Sequence, residues 1–430
     1  MTAPSLSEEM LETLQRDTFT YFLDQANPAN GLVADTTEVG APASIAVVGF
    51  ALAAYPVGVE RGFWLRAEAV ERTLTTLRFF WNSPQGAEPD VSGYQGFYYH
   101  FLDMQTGRRV WKSELSTIDT TFLLAGMLTA AAYFDREAED EAEIRALADA
   151  LYRRVDWRWA QNGGTTVTHG WKPESGFLPY RWEGYDEALL LYVLGLGSPT
   201  YPLPTESYAA WASTYRWKEI YGYEFLYAGP LFIHQFSHVW IDFRGIQDEF
   251  MRGRGIDYFE NSRRATYVQQ EYAARNPLGF KGYSKTVWGL TASDGPGPES
   301  RRVDGVDRNF LGYRARGVPY GPDDGTLALW GIIASLPFAP EIALEAIWHC
   351  EDVYPQTRTS YGFIGSFNPT YPSPSGDASG WICPVHYALN QGPNISMIEN
   401  YRSGLVWRLM RQCPYIVTGL RRAGFTNGWL

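Results

Sequence analysis

Residues 119–134, DTTFLLAGMLTAAAYF, and residues 138–154, AEDEAEIRALADALYRR, are neighbours in the chain and differ sharply in polarity. The first segment is apolar or small on all sides of a helix, which predicts burial. The second carries its charges on one face, which predicts a position at the surface. Apolar and amphipathic segments alternate in this way along most of the chain. We therefore predict an all-α fold in which inner and outer helices form hairpins that close into an (α/α)6 toroid.

The same alternation assigns much of the chain to helices. A helix over residues 7–25 is predicted to begin at Ser7, with acids in its first turn. The predicted buried segments are about 43–55, 119–134, 187–195, 226–240, 324–336 and 396–411, and the predicted amphipathic segments are 64–81, 138–154, 205–213, 256–275 and 339–350.

Two β-prone stretches interrupt the helical pattern. Residues 96–111 predict a hairpin that turns at Thr106-Gly107, and residues 165–182 predict a second one. Each stretch lies directly before a segment that carries acids and is predicted to be helical. We therefore expect both hairpins at the rim of one cleft.

Two long segments, 291–325 and 355–394, are rich in Gly, Pro, Ser and Asp and are predicted to be loops. Loops of this length within a compact domain usually have a function. No segment has the composition of a linker, so we predict a single domain over residues 1–430.

The composition excludes several classes of function. The net charge is −12 and basic residues form no long run, which disfavours binding to nucleic acid or to an anionic membrane. No apolar stretch is long enough to span a bilayer. The three cysteines, Cys350, Cys383 and Cys413, lie far apart and form no CxxC pair, which argues against a disulfide framework and a zinc site. We expect a cytoplasmic protein, or a periplasmic one if a signal peptide has been removed.

Glu187 is the first candidate for catalysis. It follows the second predicted hairpin in the sequence Tyr185-Asp186-Glu187 and precedes a strongly apolar helix. An ionised carboxylate is costly to bury, so an acid on a buried element commonly lines a cavity. The alternative is that Asp186 or Glu187 only complements the dipole at the helix N-terminus.

Glu114 and Asp119 form a second candidate pair, on either side of Ser116-Thr117, which could cap the following helix. Asp119 lies on a helix that otherwise looks buried, so it needs a partner or a ligand. The alternative is a structural ion pair with an arginine.

Two further acids are candidates for the second catalytic carboxylate. Glu399 begins the sequence Glu399-Asn400-Tyr401-Arg402, whose spacing also suits a local ion pair with Arg402. Asp377 lies in the second long loop, four residues before Trp381, and could activate a water molecule. Aromatic faces that cover a pyranose, together with polar groups that bind its hydroxyls, complete the predicted cleft. The predicted substrate-binding residues are Glu114, Arg181, Trp182, Tyr185, His234, His238, Trp240, Tyr283, Trp288, Asp294, Trp381 and Tyr401.

His234 and His238 have the i, i+4 spacing of a zinc-binding helix. The zincin motif requires Glu directly after the first histidine, where this chain has Gln235, and the sequence suggests no third ligand. We therefore predict no metal and no other cofactor.

The chain resembles the glycoamylase-like proteins of glycoside hydrolase family 144 over nearly its whole length. The segments that carry the resemblance are 15–22 (QRDTFTYF), 31–35 (GLVAD), 114–120 (ELSTIDT), 185–188 (YDEA), 195–200 (GLGSPT), 232–242 (FIHQFSHVWID), 261–266 (NSRRAT), 288–295 (WGLTASDG) and 398–404 (IENYRSG). The resemblance implies an (α/α)6 domain that hydrolyses β-1,2-glucan, internally or by releasing sophorose from an end, with inversion. It also places Glu187 on the catalytic glutamate of that family. The partner acid stays open among Asp377, Asp119 and Glu399.

Together these observations predict an inverting glycoside hydrolase whose partner is an oligo- or polysaccharide. Glu187 would protonate the glycosidic oxygen, and a carboxylate about 6.5–9.5 Å away would activate water. The alternatives are a transglycosylase, a hydrolase of another β-glucan, a polysaccharide lyase using Arg181, Tyr185 and His234, and a sugar-binding protein without catalysis.

Overall fold

The computed structural model describes residues 3–373 and 376–430. Helices dominate these residues, and three single turns of 3-10 helix lie at 159–161, 231–234 and 355–357. The α-helices are α1 (Ala3–Asp24), α2 (Ile45–Glu60), α3 (Arg66–Asn82), α4 (Thr117–Tyr133), α5 (Glu139–Arg153), α6 (Leu189–Gly197), α7 (Glu206–Ala212), α8 (Phe236–Trp240), α9 (Glu249–Arg254), α10 (Tyr258–Arg275), α11 (Leu329–Ile333), α12 (Pro340–Val353), α13 (Ala388–Arg402), α14 (Leu405–Arg411) and α15 (Pro414–Arg422).

The strands are short and pair in small antiparallel sheets. The largest sheet has five strands in the order β2-β3-β5-β6-β7, and the others are two-stranded: β1-β4, β8-β9, β10-β13, β11-β12, β14-β15 and β16-β17. The strands are β1 (Ala43–Ser44), β2 (Gly93–Tyr94), β3 (Phe97–Tyr99), β4 (Phe101–Leu102), β5 (Leu115–Ser116), β6 (Gly170–Lys172), β7 (Gly176–Phe177), β8 (Trp217–Ile220), β9 (Tyr223–Leu226), β10 (Ala292–Ser293), β11 (Glu299–Val303), β12 (Val306–Phe310), β13 (Arg314–Ala315), β14 (Arg358–Thr359), β15 (Gly362–Phe363), β16 (Phe367–Asn368) and β17 (Trp381–Ile382).

The chain forms two compact units, which we call unit A and unit B. Unit A comprises Phe22–Tyr215, Ser237–Tyr258 and Ser403–Leu430. Unit B comprises the residues up to Tyr21 together with Arg216–Phe236 and Phe259–Arg402.

In unit A, the buried helices α2 and α4 cross at two glycines. A Cβ atom on Gly126 would lie 1.9 Å from the carbonyl oxygen of Gly49, and one on Gly49 would lie 2.2 Å from that of Phe122. The two backbones can approach this closely because neither glycine carries a side chain. Nearly every residue of both helices is buried, so the predicted burial of 43–55 and 119–134 is confirmed.

The amphipathic helices α3 and α5 pack against each other in unit A, as their patterns predict. Each buries one face and leaves the other exposed. Arg66 at the start of α3 makes a two-pronged hydrogen-bonded ion pair with Glu141 of α5, at 2.9 Å for both Nε–Oε1 and Nη2–Oε2. A carboxylate in the first turn of α5 also interacts favourably with the helix dipole.

Unit B has its own core, drawn from α1, α10, α11, α12, α13 and the strands between them. Leu14, Val268, Ile332, Ile347 and Ile398 are among its buried members. The predicted amphipathic segments 256–275 and 339–350 are helical there as α10 and α12.

The predicted loop 291–325 contains an unpredicted hairpin. Strands β11 and β12 pair over five residues and turn at Asp304-Gly305, where both residues have positive φ angles of 49° and 81°. Asp-Gly is a favoured pair for a two-residue hairpin turn. After this hairpin, a fully buried ion pair between Arg316 and Asp324, at 2.7 Å, stabilises the rest of the predicted loop.

The predicted buried helix over 226–240 is wrong in its first half. Residues up to Leu226 belong to β9, and the helix α8 begins only at Phe236. Pro230 explains the break because proline lacks a backbone N–H and disfavours helical geometry at the residue before it. The predicted helix over 324–336 is likewise reduced to α11 at 329–333.

Both predicted hairpins form. Residues 165–182 form one, with β6 paired to β7 and a bridge between Thr168 and Arg181. Residues 96–111 do turn near Gly107, whose amide donates to the carbonyl of Asp103 at 2.8 Å. Leu102 bridges Arg109 across this turn, so residues 101–110 form the first hairpin, while β3 before it pairs with β2 and β5. Among the described helices, none is both long enough and apolar enough to cross a membrane.

Candidate active site

A cluster of acids surrounds one histidine in unit A. We call it the acid cluster; it consists of Asp35, His100, Glu114, Asp119, Asp186 and Glu187. His100 lies between β3 and β4, Glu114 directly precedes β5, and Asp119 lies in the first turn of α4. Asp186 and Glu187 lie just before α6. The five-stranded sheet and the N-termini of two buried helices therefore gather side chains that are far apart in the sequence.

His100 links two of these acids directly. Its Nδ1 atom lies 2.9 Å from Oε1 of Glu114, and its Nε2 atom lies 3.7 Å from Oδ1 of Asp119. Its ring stacks on Phe101 at a centroid distance of 3.9 Å. Burial alone would lower the pKa of His100, but Asp119, the hydrogen bond with Glu114 and the charge of Asp35 together raise it to about 9. The ring is therefore a cation at neutral pH.

Asp119 is held on its other side by the cap of α4. The hydroxyl of Ser116 accepts a hydrogen bond from the backbone amide of Asp119 at 3.2 Å and donates one to its carboxylate. The predicted cap at Ser116 is confirmed. The structure gives Asp119 a histidine as its cationic partner, so the alternative of an arginine partner is wrong.

Glu187 has few neighbouring groups that stabilise its ionised carboxylate. Its side chain is only partly exposed, and its carboxyl group makes no hydrogen bond or ion pair with the described residues. Burial raises the pKa of Glu187, and the nearby charges of Asp119 and Asp186 raise it further, to about 8, although His100 works in the opposite direction. At neutral pH Glu187 therefore carries a proton that it can donate.

The sequence left open whether Asp186 or Glu187 stabilises the start of α6. In the structure, Asp186 has this role. It accepts a hydrogen bond from the indole N–H of Trp211 at 3.0 Å and one from the backbone amide of Ala188 at 2.9 Å. Burial raises the pKa of Asp186 to about 7, against these two hydrogen bonds. Asp186 thus serves the start of α6, which leaves the Glu187 carboxyl available to a substrate.

The pKa values of the remaining two acids shift in opposite directions. Burial raises the pKa of Asp35 to about 6; His100 opposes this shift and Asp119 adds to it. Burial acts to raise the pKa of Glu114 as well, but its hydrogen bond with His100 and the charge of that ring outweigh burial and hold the pKa below its usual value. The acid cluster therefore contains carboxyl groups in both protonation states near neutral pH, as acid/base catalysis requires.

His100, Glu114 and Asp119 place three potential ligand atoms within 4.8 Å of one another. Nδ1 of His100 donates to Glu114 and Nε2 forms a longer ion pair with Asp119, so a protonated ring keeps no lone pair for a metal. The predicted pair His234 and His238 does not form a second cluster of this kind among residues 3–373 and 376–430. Nε2 of His234 lies 3.1 Å from the carbonyl oxygen of Ala228, and burial lowers the pKa of its ring to about 4.

Aromatic rings accompany the acid cluster in unit A. Trp182 stacks on His169 at 3.8 Å and donates its indole N–H to Thr117 at 3.0 Å. Tyr185 packs between the rings of Tyr215 and Tyr258, each at 5.9 Å. Arg181 donates to the backbone carbonyls of Gln161 and Thr166, so it stabilises the hairpin that carries Trp182.

Two substrate-binding predictions in unit A are wrong. Trp240 has no exposed surface and stacks on Phe122 at 5.6 Å. His238 is 1% exposed, and its ring packs edge-on against Phe243. Neither side chain can present itself to a sugar, because α8 places both in the core.

Several substrate-binding predictions in unit B also fall on structural residues. Trp288 has no exposed surface, and His234 is 1% exposed. Tyr283, in the segment that follows α10, is 8% exposed and donates to Asp323 at 2.6 Å. Asp294 is partly exposed, and Tyr387 donates to its carboxylate at 3.3 Å. Its role in substrate binding therefore stays a prediction.

The other unit B candidates are Glu399, Asp377, Trp381 and Tyr401. Glu399 is 1% exposed and accepts a hydrogen bond from the amide of Gln15 at 3.1 Å. Arg402 forms ion pairs with Glu8 and Glu12. Asp377 and Trp381 are partly exposed, and Tyr401 is 38% exposed at the end of α13.

Sequence analysis missed His100 and Asp35 as site residues. His100 lies in the first predicted hairpin. Asp35 ends segment 31–35, one of those that carry the family resemblance. The available signal was a titratable residue in an otherwise aromatic strand, Phe97-Tyr-Tyr-His100-Phe. Its meaning depends on Glu114 and Asp119, which only the fold brings to its ring.

The family model of the glycoamylases matches residues 179–414. The match covers more than half of the chain and includes Glu187, Asp377 and Glu399. This chain belongs to the glycoamylase family. The predicted resemblance to family 144 and its glycoamylase-like domain is confirmed.

Some proteins with similar sequences and structures have names that refer to β-1,2-glucans. An exo β-1,2-glucooligosaccharide sophorohydrolase of Parabacteroides distasonis is 28% identical over 98% of this chain. The chain spans only 58% of the length of that relative.

Two solved structures extend the comparison. An endo-β-1,2-glucanase of Chitinophaga pinensis, crystallised with sophorotriose and glucose, is 27% identical, with a TM-score of 0.86 and 99% of each chain covered. A Bacteroides uniformis protein, a glucoamylase by name, is 33% identical with the same TM-score over 99% of this chain and 98% of its own. These neighbours share the toroid fold, so the predicted fold class is confirmed.

Proposed function

We propose that this glycoamylase family protein hydrolyses β-1,2-glucan or its oligosaccharides by an inverting mechanism, with Glu187 as the general acid. The observation that carries the proposal is the protonated, unpaired carboxyl of Glu187 beside the ionised groups around His100. The substrate class is supported by the sophorohydrolase of Parabacteroides distasonis and the glucanase of Chitinophaga pinensis.

The mechanism is a single displacement. The Glu187 carboxyl gives its proton to the glycosidic oxygen as the bond to the anomeric carbon breaks, directly or through a hydroxyl or a water molecule. A carboxylate takes a proton from the water that attacks the opposite face of the sugar ring. A pKa near 8 suits the first step because the acid is protonated at neutral pH and still close enough to ambient pH to transfer its proton readily.

Two carboxylates are candidates for the base. Asp119 belongs to the acid cluster and is held by Ser116 and His100. Asp377 lies in unit B, is partly exposed, and stays a candidate from the sequence alone. Glu399 fits this role poorly because it is almost fully buried and bonded to Gln15.

The contacts of three residues disfavour the lyase alternative. Arg181 is committed to backbone carbonyls, and the ring of Tyr185 is packed between two tyrosines. His234 is buried with a lowered pKa. A lyase would need such groups exposed to a uronate. Transfer to a sugar acceptor in place of water uses the same acid, so product analysis must include transfer products.

The decisive experiment compares the wild-type protein with Glu187→Gln on β-1,2-glucan. Glutamine preserves the shape of the side chain but cannot donate an acidic proton, so we expect kcat to fall by about 10²–10⁴-fold with little change in melting temperature. Asp119→Asn and Asp377→Asn, measured alongside, separate the two candidates for the base. Proton NMR of the first product reports whether the anomeric configuration is inverted.

Glu206→Gln is the matched control, because Glu206 is an exposed acid in the first turn of α7. Loss of its charge should cost about 0.3–1 kcal/mol of stability and leave kcat unchanged. A Glu187→Gln protein that retains wild-type kcat would remove this residue from the mechanism. Activity on β-1,3- or α-1,4-glucan in preference to β-1,2-glucan would overturn the proposed substrate.

A further inference from the structure

Trp111 is an exposed tryptophan on an unusual stretch of backbone in unit A. Its side chain is 69% exposed. Trp111 and Lys112 have φ angles of +56° and +49°, the left-handed region that residues other than glycine seldom occupy. Two such residues in succession cost conformational free energy, so the surrounding contacts must enforce this geometry.

Those contacts come largely from Arg109. Its guanidinium is 2% exposed and pairs with Glu174 at 2.8 Å. It also donates to the carbonyl of Ser113 at 2.6 Å and lies over the ring of Tyr99 at 4.7 Å. The side chain of Arg109 therefore ties residues 109–113 to the edge of the five-stranded sheet. The loop presents Trp111 from a fixed backbone.

The indole of Trp111 is separated from the acid cluster by one ring, that of Phe101. Its ring packs against Phe101 at a centroid distance of 5.2 Å, and Phe101 in turn stacks on His100 at 3.9 Å. Among the described residues, no group accepts a hydrogen bond from the indole N–H of Trp111. An exposed aromatic ring with an available donor, linked through Phe101 to His100 of the acid cluster, is suited to a ligand with both an apolar face and hydroxyl groups.

We propose that Trp111 is a sugar-binding platform of the acid cluster, which stacks on the apolar face of one glucosyl unit of the β-glucan. This inference rests on the proposed function and assigns a binding residue to it. The C–H groups of the pyranose cover the indole ring, and a sugar hydroxyl accepts from the indole N–H. Because the backbone is fixed before binding, little conformational entropy is lost when the sugar stacks.

The test measures affinity in the absence of turnover. Glu187→Gln protein is titrated with β-1,2-glucooligosaccharides of increasing length by calorimetry, with and without Trp111→Ala. We expect Trp111→Ala to raise Kd by about tenfold or more. Trp111→Phe should recover part of the lost affinity. In the catalytically active background, Trp111→Ala should raise KM more than it lowers kcat.

Trp81→Ala is the matched control. Trp81 is also an exposed tryptophan of unit A, 43% exposed on α3, with Arg154 over its ring. Its removal should leave Kd unchanged. Circular dichroism and melting temperature verify that each variant is folded.

The outcomes separate the two proposals. Hydrolysis by the wild-type protein with equal Kd for Glu187→Gln and its Trp111→Ala derivative would overturn the platform and leave the proposed function standing. A change in oligomeric state on Trp111→Ala, without a change in Kd, would show that a second copy of the chain covers this surface instead. Failure of the wild-type protein to bind or cleave any β-glucan would overturn both.

Discussion

Adjacent acids at the start of α6 have different environments. Asp186 receives two hydrogen bonds, from Trp211 and from the amide of Ala188, whereas the carboxyl of Glu187 receives none from the described residues. The unpaired acid keeps its proton because burial and two neighbouring carboxylates oppose its ionisation. A difference of this kind, between residues of similar chemistry, is how an active site assigns the role of acid to one group.

His100 should shift the alkaline limb of the pH–rate profile to lower pH. The limb of kcat/KM is expected near pH 8, where Glu187 loses its proton, and the positive charge of His100 lowers the pKa of Glu187. Replacing the ring with a neutral side chain, His100→Asn, should therefore move the alkaline limb to higher pH. The measurement is kcat/KM between pH 5 and 10 for both proteins.

His349→Asn is the control for this prediction. His349 is partly exposed on α12 in unit B, outside the acid cluster, so its replacement should leave the whole profile in place. A downward shift of the alkaline limb in His100→Asn would contradict the electrostatic role given to His100. A pH–rate profile of His100→Asn that matches the wild-type profile would also contradict this role.

Helices α2 and α4 depend on glycine at their crossing point. The Cβ contacts that Gly126 and Gly49 would make, 1.9 Å and 2.2 Å from backbone carbonyl oxygens, are far shorter than any real Cβ contact. A backbone atom cannot rotate away as a side chain can, so a methyl group at either position must push the helices apart. Because α4 carries Asp119 in its first turn, this crossing also bears on the acid cluster.

Gly126→Ala should destabilise the protein by about 1–3 kcal/mol, the usual cost of overpacking a buried site. The effect should appear as a lower denaturation midpoint in urea. A stabilising effect would mean that the helices do not cross as closely as the structure has them.

Gly253→Ala in α9 is the counterpart. Nothing lies within 4 Å of a Cβ atom at Gly253, and its φ angle is not positive. The substitution there should be neutral or stabilise by about 0.4–1 kcal/mol, since alanine restricts the unfolded chain. Replacement by alanine should therefore lower the stability of the protein at Gly126 and leave it unchanged or raise it at Gly253.

The stability of the whole protein should fall as pH rises from about 5 to 9. Folding raises the pKa of Asp35, Asp186, Glu187 and His100, to about 6, 7, 8 and 9. Between the ordinary pKa of each group and its raised value, the folded state binds more protons than the unfolded state. All four groups therefore lower the free energy of unfolding with increasing pH in this range.

Calorimetric melting at pH 6 and pH 9 measures this trend. The melting temperature should be lower at pH 9, and Glu187→Gln should reduce the difference because it removes one of the titrating groups. A wild-type protein that is more stable at pH 9 than at pH 6 would show that groups outside the acid cluster dominate the proton linkage.

Local sequence patterns were sufficient for much of the helical architecture. The apolar run at 119–134 and the charged face at 138–154 predict α4 and α5 within a few residues, because burial of a helix depends on side chains three and four positions apart. The cap at Ser116 and the hairpin before Trp182 follow from equally local rules. Where the local rules were misjudged, as at Pro230 and at Asp304-Gly305, the decisive signal was still in the sequence.

The environment of each candidate residue was decided by the tertiary structure. Trp211 reaches Asp186 across 25 positions in the chain, and His100 meets Glu114 and Asp119 only because β3 pairs with β5. Trp240 and Trp182 look alike as sequence and both are buried, yet one stacks on Phe122 and the other stacks on His169. The sequence by itself determined which segments are helical, where acids precede buried helices and which family the chain resembles. Only the fold decided which acids are paired, because burial and charge pairing arise from contacts between residues that no local pattern relates.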